Sequence, residues 1–312
     1  MNNRRNFLRN SGAFALGSVL LSDSAIAAFY KKPTHAVGLQ LFTLFSTFDK
    51  DVAGNLKQIA KVGYTEIESA FSMKGGFYGM KPKEFASLIK DAGLKWVSHH
   101  VGGAPFKMPP GGFKMPGADS TKPARQMKIP PMKNLKDNYQ EIIDDVAEGG
   151  LKYLVCASIP LDTADEIKQA VVILNTAGEA AKKSGITLCY HNHTHEFETI
   201  EGMVPYEVLL SQTTPDTLKF ELDLGWATVA GADPVGLFKK HPGRFPLWHV
   251  KDISADAKKP VEIGSGIVNF KPIFAAAKTA GMQHFFVEQD GAPEPMKNIA
   301  ASYKTITTKI LS

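Results

Sequence analysis

Cysteine is almost absent from this chain of 312 residues, which excludes a scaffold built on disulfides. The only two, Cys156 and Cys189, lie inside apolar strand-like runs, LKYLVCAS and ITLCYH, where buried, reduced thiols are expected. A bridge between adjacent strands would have to meet a strict distance requirement. Charge of one sign is also scarce: 36 Lys and Arg face 31 Asp and Glu, for a formal net charge of +5. That balance, without clustered cations and aromatic platforms, does not build a nucleic-acid surface. The apolar stretch from Gly12 to Leu21 is too short to span a bilayer, so an integral membrane protein is not expected. A nucleophile elbow and an assignable Ser-His-Asp triad are missing too. Ile263-Gly264-Ser265-Gly266 lacks the Lys and preceding strand of a nucleotide loop and reads as a turn leading into a helix.

What is present begins with an export pattern. Asn3-Arg4-Arg5-Asn6-Phe7-Leu8-Arg9, the mild apolar stretch and Ala25-Ile26-Ala27 together read as a twin-arginine signal over residues 1–27, which predicts a periplasmic or otherwise exported protein. Its removal takes away three arginines and one aspartate and leaves a net charge of +3. From residue 28 to 312, short β-rich runs alternate with longer helical ones. The strand candidates are Val37–Leu41, Thr65–Glu68, Trp96–His100, Tyr153–Ala157, Thr187–His191, Lys219–Asp223, Leu247–Lys251 and His284–Glu288. Helices are expected over Val52–Lys61, Pro82–Ala92, Leu135–Glu148, Ala164–Ser184, Pro205–Ser211, Pro234–Lys240, Lys271–Ala280 and Met296–Leu311. Five helix-to-strand junctions carry Gly, as in KVGYTEIE and KSGITLCY, where a left-handed C-cap turns the chain. Eight such units predict an α/β chain folded as a single-domain (β/α)8 TIM barrel.

One segment breaks the pattern. Residues 102–134, rich in Pro, Gly, Met and Lys, follow the third strand on the face where barrel active sites are built. Such a loop is either a lid over substrate or a mobile insertion.

The chemistry gathers at strand ends. HNHTHEF, LDLGW, WHVKD and VEQD place His191, Asp223, His249 and Glu288 at the close of the fifth to eighth strands. In a parallel barrel these ends share one mouth, so residues distant in sequence meet there. Imidazole and carboxylate together suit one divalent ion, with Mn, Co, Zn and Mg all open, and argue against a purely structural zinc site.

YHNHTHEF, ELDLGWA, HVKD, IGSGIVNF and VEQD resemble the xylose-isomerase-like barrels of the sugar phosphate isomerase/epimerase superfamily, and the resemblance runs from VGLQLFTL to the end. It implies one metal held by His191, Asp223, His249 and Glu288. Members carry Glu at the first of these positions, so His191 is a departure that removes one of two acid/base carboxylates. A His-first site with the HNH signature is similar to a branch containing inosose dehydratases and enzymes that cleave 3-keto-glycosides. By this resemblance Glu288 is ligand and base, Lys251 stabilises an oxyanion, and His193 acts as acid or second base. Glu68, His100, Glu196 and Trp226 are expected to contact substrate.

The expected function is therefore a metal-dependent isomerase or epimerase acting on a keto-sugar or sugar derivative through proton abstraction and an enediolate. The alternative is a 3-keto-glycoside lyase that eliminates the aglycone. An apurinic-endonuclease-like enzyme and a non-catalytic sugar-binding barrel are weaker matches. The expected partner is a small-molecule carbohydrate, with a homo-oligomer left open.

Overall fold

The computed structural model describes residues 36–106 and 132–312. The signal reading of residues 1–27 and the centre of the 102–134 loop lie outside the described residues. Eight parallel strands close into a barrel: β1 (Gly38–Gln40), β2 (Glu66–Ser69), β3 (Lys95–Gly102), β4 (Tyr153–Ser158), β5 (Thr187–His191), β6 (Leu218–Asp223), β7 (Leu247–Val250) and β10 (His284–Val287). Their order around the ring is β1-β10-β7-β6-β5-β4-β3-β2, so the eighth barrel strand of the sequence reading is β10. The intervening β8 (Asp252–Ile253) and β9 (Pro260–Val261) form a small antiparallel ribbon outside the ring, which the sequence reading did not anticipate.

Local chemistry sets where each helix begins and stops. Asp51, Asn134 and Thr163 accept hydrogen bonds from exposed amides at the starts of Val52–Val62, Leu135–Glu148 and Ala164–Lys183. Proline occupies the first turn of Pro82–Asp91, Pro205–Gln212, Pro234–Lys240 and Pro295–Thr305, where its missing N–H costs nothing. Gly63, Gly93, Gly150, Gly185 and Gly281 all have positive φ at the expected junctions. The helix expected over Lys271–Ala280 is two pieces, Phe270–Ala275 and Ala277–Ala280, because Ala276 (ψ 5°) leaves the helical basin. The last helix passes at Thr305 into a π-turn, Ile306–Ile310.

Alternation along each strand divides the core. Val97, Val155, Cys189, Leu247 and Phe286 fill the barrel interior, whereas residues such as Leu154, Cys156, Leu188, Leu222 and Trp248 face the helices. Cys156 pairs in register with Tyr190, and Cys189 with Val155, so the two thiols point to opposite faces of the sheet and both are free. Two residues beyond the interior layer on β5, β7 and β10 stand His191, His249 and Glu288. The barrel's apolar plug is thus the floor of a polar chamber. No described helix is long and apolar enough to cross a membrane.

Candidate functional site

The chamber is dense with ionisable groups. Parallel pairing sets Glu221 level with His191, and Asp223 level with His249. His249 Nδ1 lies 2.7 Å from Glu288 Oε2 and 4.0 Å from Asp223 Oδ2, which is also 4.0 Å from His191 Nε2. Of the four residues expected as metal ligands, Asp223, His249 and Glu288 bring their donor atoms together, and His191 Nε2 comes no closer to Asp223 than 4.0 Å. Below them sits a second group: His249 Nε2 is 2.6 Å from Glu68 Oε1 and 3.1 Å from Glu221 Oε2, and His100 Nε2 lies 2.9 and 2.7 Å from the same two oxygens. His191 Nδ1 is 3.1 Å from Glu221 Oε2. Glu68 is further fixed by Gln40 at 2.6 Å and Ser98 at 2.5 Å.

Burying so many charges singly would cost several kcal/mol per ion, so each must be answered by a neighbour. Burial pushes the His100 imidazole down, but Glu68 and Glu221 together outweigh it and raise its pKa to about 9. Burial raises Glu221, yet His249 and His100 prevail and bring it to about 2. His249 is likewise held high against burial by Glu221 and Glu288. His191 goes the other way, driven down by burial and by its imidazole neighbours, and is the neutral ring of the set. Burial opposes ionisation of Glu288, but Lys251 and His249 hold its carboxyl well below the usual range.

Lys251, 1% exposed, places its ammonium 2.9 Å from Asp223 Oδ2 and 2.8 Å from both Glu288 Oε2 and Asp290 Oδ2. It does not pair with adjacent Asp252. That carboxylate instead accepts backbone N–H groups of Ile253, Gly264, Gly266 and Val268 at 2.8–3.1 Å, which shapes the IGSG turn around a built-in anion. Asp290 was not singled out from the sequence, nor was Glu221. Both stand two residues from a chosen group, and the same alternation that selected Asp223 and Glu288 points to them.

The other expected site residues divide. His100 and exposed His193 line the cavity above the chamber, with the His193 ring 4.9 Å from that of His191. Glu68 is fully buried beneath it. Glu196 does not reach the cavity wall: its carboxylate accepts from Tyr190 Oη and from the His193 backbone N–H, both at 2.8 Å, and so holds the HNHTHEF loop in place. Trp226 lies outside the wall as well, its ring 4.9 Å from Lys251 Nζ, a cation–π contact.

Whether a divalent ion suits these residues can be judged from the donors. Among the described residues Glu221 Oε1 and Asp223 Oδ2 are buried without a hydrogen-bond partner, and the latter is in ionic contact with Lys251 at 2.9 Å. Asp223, His249 and Glu288 form one group with mutually close donor atoms, and His100, His191, Glu221 and His249 form another. The unpartnered Glu221 Oε1 and the mixed imidazole and carboxylate donors around it fit such an ion. Above them opens a cavity of about 900 Å³. His191, Lys251, Glu288 and Asp290 form its polar end, while its other walls come from the segments after β1, β2, β3 and β4.

A closed eight-stranded parallel barrel with acid, imidazole and ammonium groups at the C-terminal strand ends defines a TIM-barrel enzyme architecture. Residues 56–307 match the family described as xylose isomerase-like TIM barrel, and the chain belongs to it. Members of this superfamily include isomerases, epimerases and dehydratases. The inosose dehydratase of Geobacillus thermodenitrificans is 27% identical over 154 residues, which are 43% of this chain and 51% of that protein, so the match spans about half the length of that curated relative. A sugar phosphate isomerase/epimerase of known structure from Parabacteroides distasonis aligns over 89% of this chain and 99% of its own, with a TM-score of 0.72 and 28% identity. The IolI protein, solved with a zinc atom, shares the fold, with a TM-score of 0.61 and 16% identity over 88% of this chain and 97% of that one.

Proposed function

We propose that the protein is a metal-dependent enzyme that removes a proton beside the carbonyl of a keto-sugar or sugar derivative and passes through an enediolate. The observation that supports this most is the gathering of Asp223, His249 and Glu288 into one group of close donor atoms at one end of the barrel, with His191 Nε2 4.0 Å from Asp223 and the Lys251 ammonium among them. His191, Asp223, His249 and Glu288 would hold the ion, which supplies Lewis acidity toward the carbonyl oxygen and its neighbouring hydroxyl. Glu288, held ionised, takes the proton from the adjacent carbon. Lys251 donates to the oxygen on which charge develops, from a buried position where each hydrogen bond counts for more. His193, at the rim, exchanges the proton with the substrate or solvent.

Two outcomes diverge from the enediolate. Return of the proton to the other carbon or the other face gives isomerisation or epimerisation. Expulsion of a group β to the carbonyl breaks its C–O bond, leaves a C=C bond in the sugar, and sends the electron pair to the departing oxygen, which takes up a proton. The neutral His191 favours this second reading, because a two-carboxylate shuttle lacks one of its members. Export, with substrates free of phosphate, rests on the Arg4-Arg5 pattern. The test is incubation of metal-loaded protein with 3-keto-glucosides and with simple ketoses, followed by mass spectrometry. Aglycone release without incorporation of solvent oxygen at the anomeric carbon supports elimination, interconverted ketoses support isomerisation, and no product from either class refutes the proposal.

A further inference from the structure

The cavity is larger than its polar end requires and changes character along its length. Next to His100, His191, Lys251 and Glu288, the wall turns to Phe42, Phe71, Met73, Phe77, Met80 and Ile159. Five of the six are only half-buried: Met80 and Ile159 still pack partly against the core, whereas Phe42, Phe71 and Met73 present large apolar surface to the cavity. They come from the segment between β1 and the first long helix and from the loop after β2, while the polar groups come mainly from β5, β7 and β10. Aromatic contacts brace the apolar wall: Phe42 and Phe45 centroids are 5.0 Å apart, and Phe45 stacks on Phe71 at 5.9 Å. The two compartments meet at consecutive residues of β3. His100 turns into the carboxylates, whereas the His99 ring packs 4.7 Å from Phe77, and burial lowers its pKa to about 3.

We propose that this apolar annex is an aglycone subsite, so that the substrate is a glycoside whose sugar enters the polar chamber and whose linked group is flat and apolar, an aromatic ring above all. The inference rests on the sugar chemistry proposed above and narrows its substrate class. A free monosaccharide seated in the polar chamber is too small to cover the Phe and Met wall as well and would leave it against water, which is unfavourable in proportion to the area exposed. A cavity of about 900 Å³ is near the upper end of small-molecule sites, which span about 300–1,000 Å³. One molecule with a polar half and an apolar half satisfies both ends.

The test is equilibrium binding by calorimetry to the metal-loaded protein, comparing 4-nitrophenyl β-D-glucoside with methyl β-D-glucoside. Burial of an aryl ring predicts roughly 10- to 100-fold tighter binding of the first. Met73→Glu and Phe71→Ala, each checked for an unchanged melting profile, should bring the ratio close to one while leaving the methyl compound unaffected. Equal affinities in the wild type, no measurable binding of the aryl compound, or a ratio untouched by both variants overturns the inference. Binding needs no turnover, so aryl preference without conversion of any keto-sugar sinks the proposed function alone. Conversion of simple ketoses without aryl preference sinks the subsite alone.

Discussion

Raising the pH of metal-free protein should weaken it, and a divalent ion should cancel the loss. His100 sits at about 9 because Glu68 and Glu221, at 2.9 and 2.7 Å, overcome the burial that lowers it. A base raised in the folded chain contributes stability that is complete below its unfolded pKa, ~6.5, and drains away as pH climbs to the folded value. The loss between those limits is about 3 kcal/mol at ~1.4 kcal/mol per unit. That corresponds to a Tm fall of about 6–12 °C for a domain of this size. His249, raised as well, acts in the same direction. An ion demands neutral imidazoles, so its affinity grows with pH, about tenfold per unit for each proton displaced. At a free concentration about 100 times its Kd it contributes about 2.7 kcal/mol, nearly matching the loss. Thermal melts from pH 6 to 9, with chelator and with Mn²⁺ or Zn²⁺, read both effects, and His100→Gln reduces the fall. A chelated Tm that holds or rises over that range, or an equal fall in the variant, refutes the electrostatic reasoning.

Other outcomes follow from single contacts. Glu288→Gln keeps the shape of the site but removes its base, so turnover drops by about 10²–10⁴-fold with substrate binding retained, measured by steady-state kinetics beside calorimetry. At the opposite end of the barrel, burial raises Glu66 but His284 at 2.7 Å and Lys95 at 3.3 Å prevail and hold its pKa low. Its contribution is present above the ordinary carboxylate pKa and lost as pH falls through the lowered one, so Glu66→Gln should flatten the acid limb of urea midpoints between pH 7 and 3. Gly178→Ala drives a Cβ to 2.6 Å from the Thr217 carbonyl oxygen, and denaturant melts should show a loss of about 1–3 kcal/mol.

The barrel was legible because two signals recurred: apolar strand candidates of similar length, and glycine at five of the junctions where a helix turns back into a strand. Thr187–His191 and Leu135–Glu148 match their expected bounds. The break at Ala276 and the β8–β9 ribbon were not legible, since alanine favours helix everywhere and a two-residue pair has no pattern to repeat. At the site, strand ends marked the four ligand candidates, but the choice took one ligand from each strand. Glu221 lies one alternation short of the end and Asp290 one beyond it, so only the closed ring shows that both turn inward. Glu196 had the opposite fate: its place in HNHTHEF suggested substrate, while its carboxylate is already engaged by Tyr190 and a backbone amide.

The separation of the two thiols across the sheet decides how the barrel meets an oxidant. Burial pushes Cys156 to about 12 and Cys189 well above its ordinary value, so at pH 7 about one Cys156 in 10⁵ carries the reactive thiolate. Neither sulfur can reach the other without inverting a strand. The covalent structure is therefore the same in a reducing compartment as in an oxidising one. Such a chain can complete its fold on one side of a membrane and work on the other with no redox partner to protect or repair it.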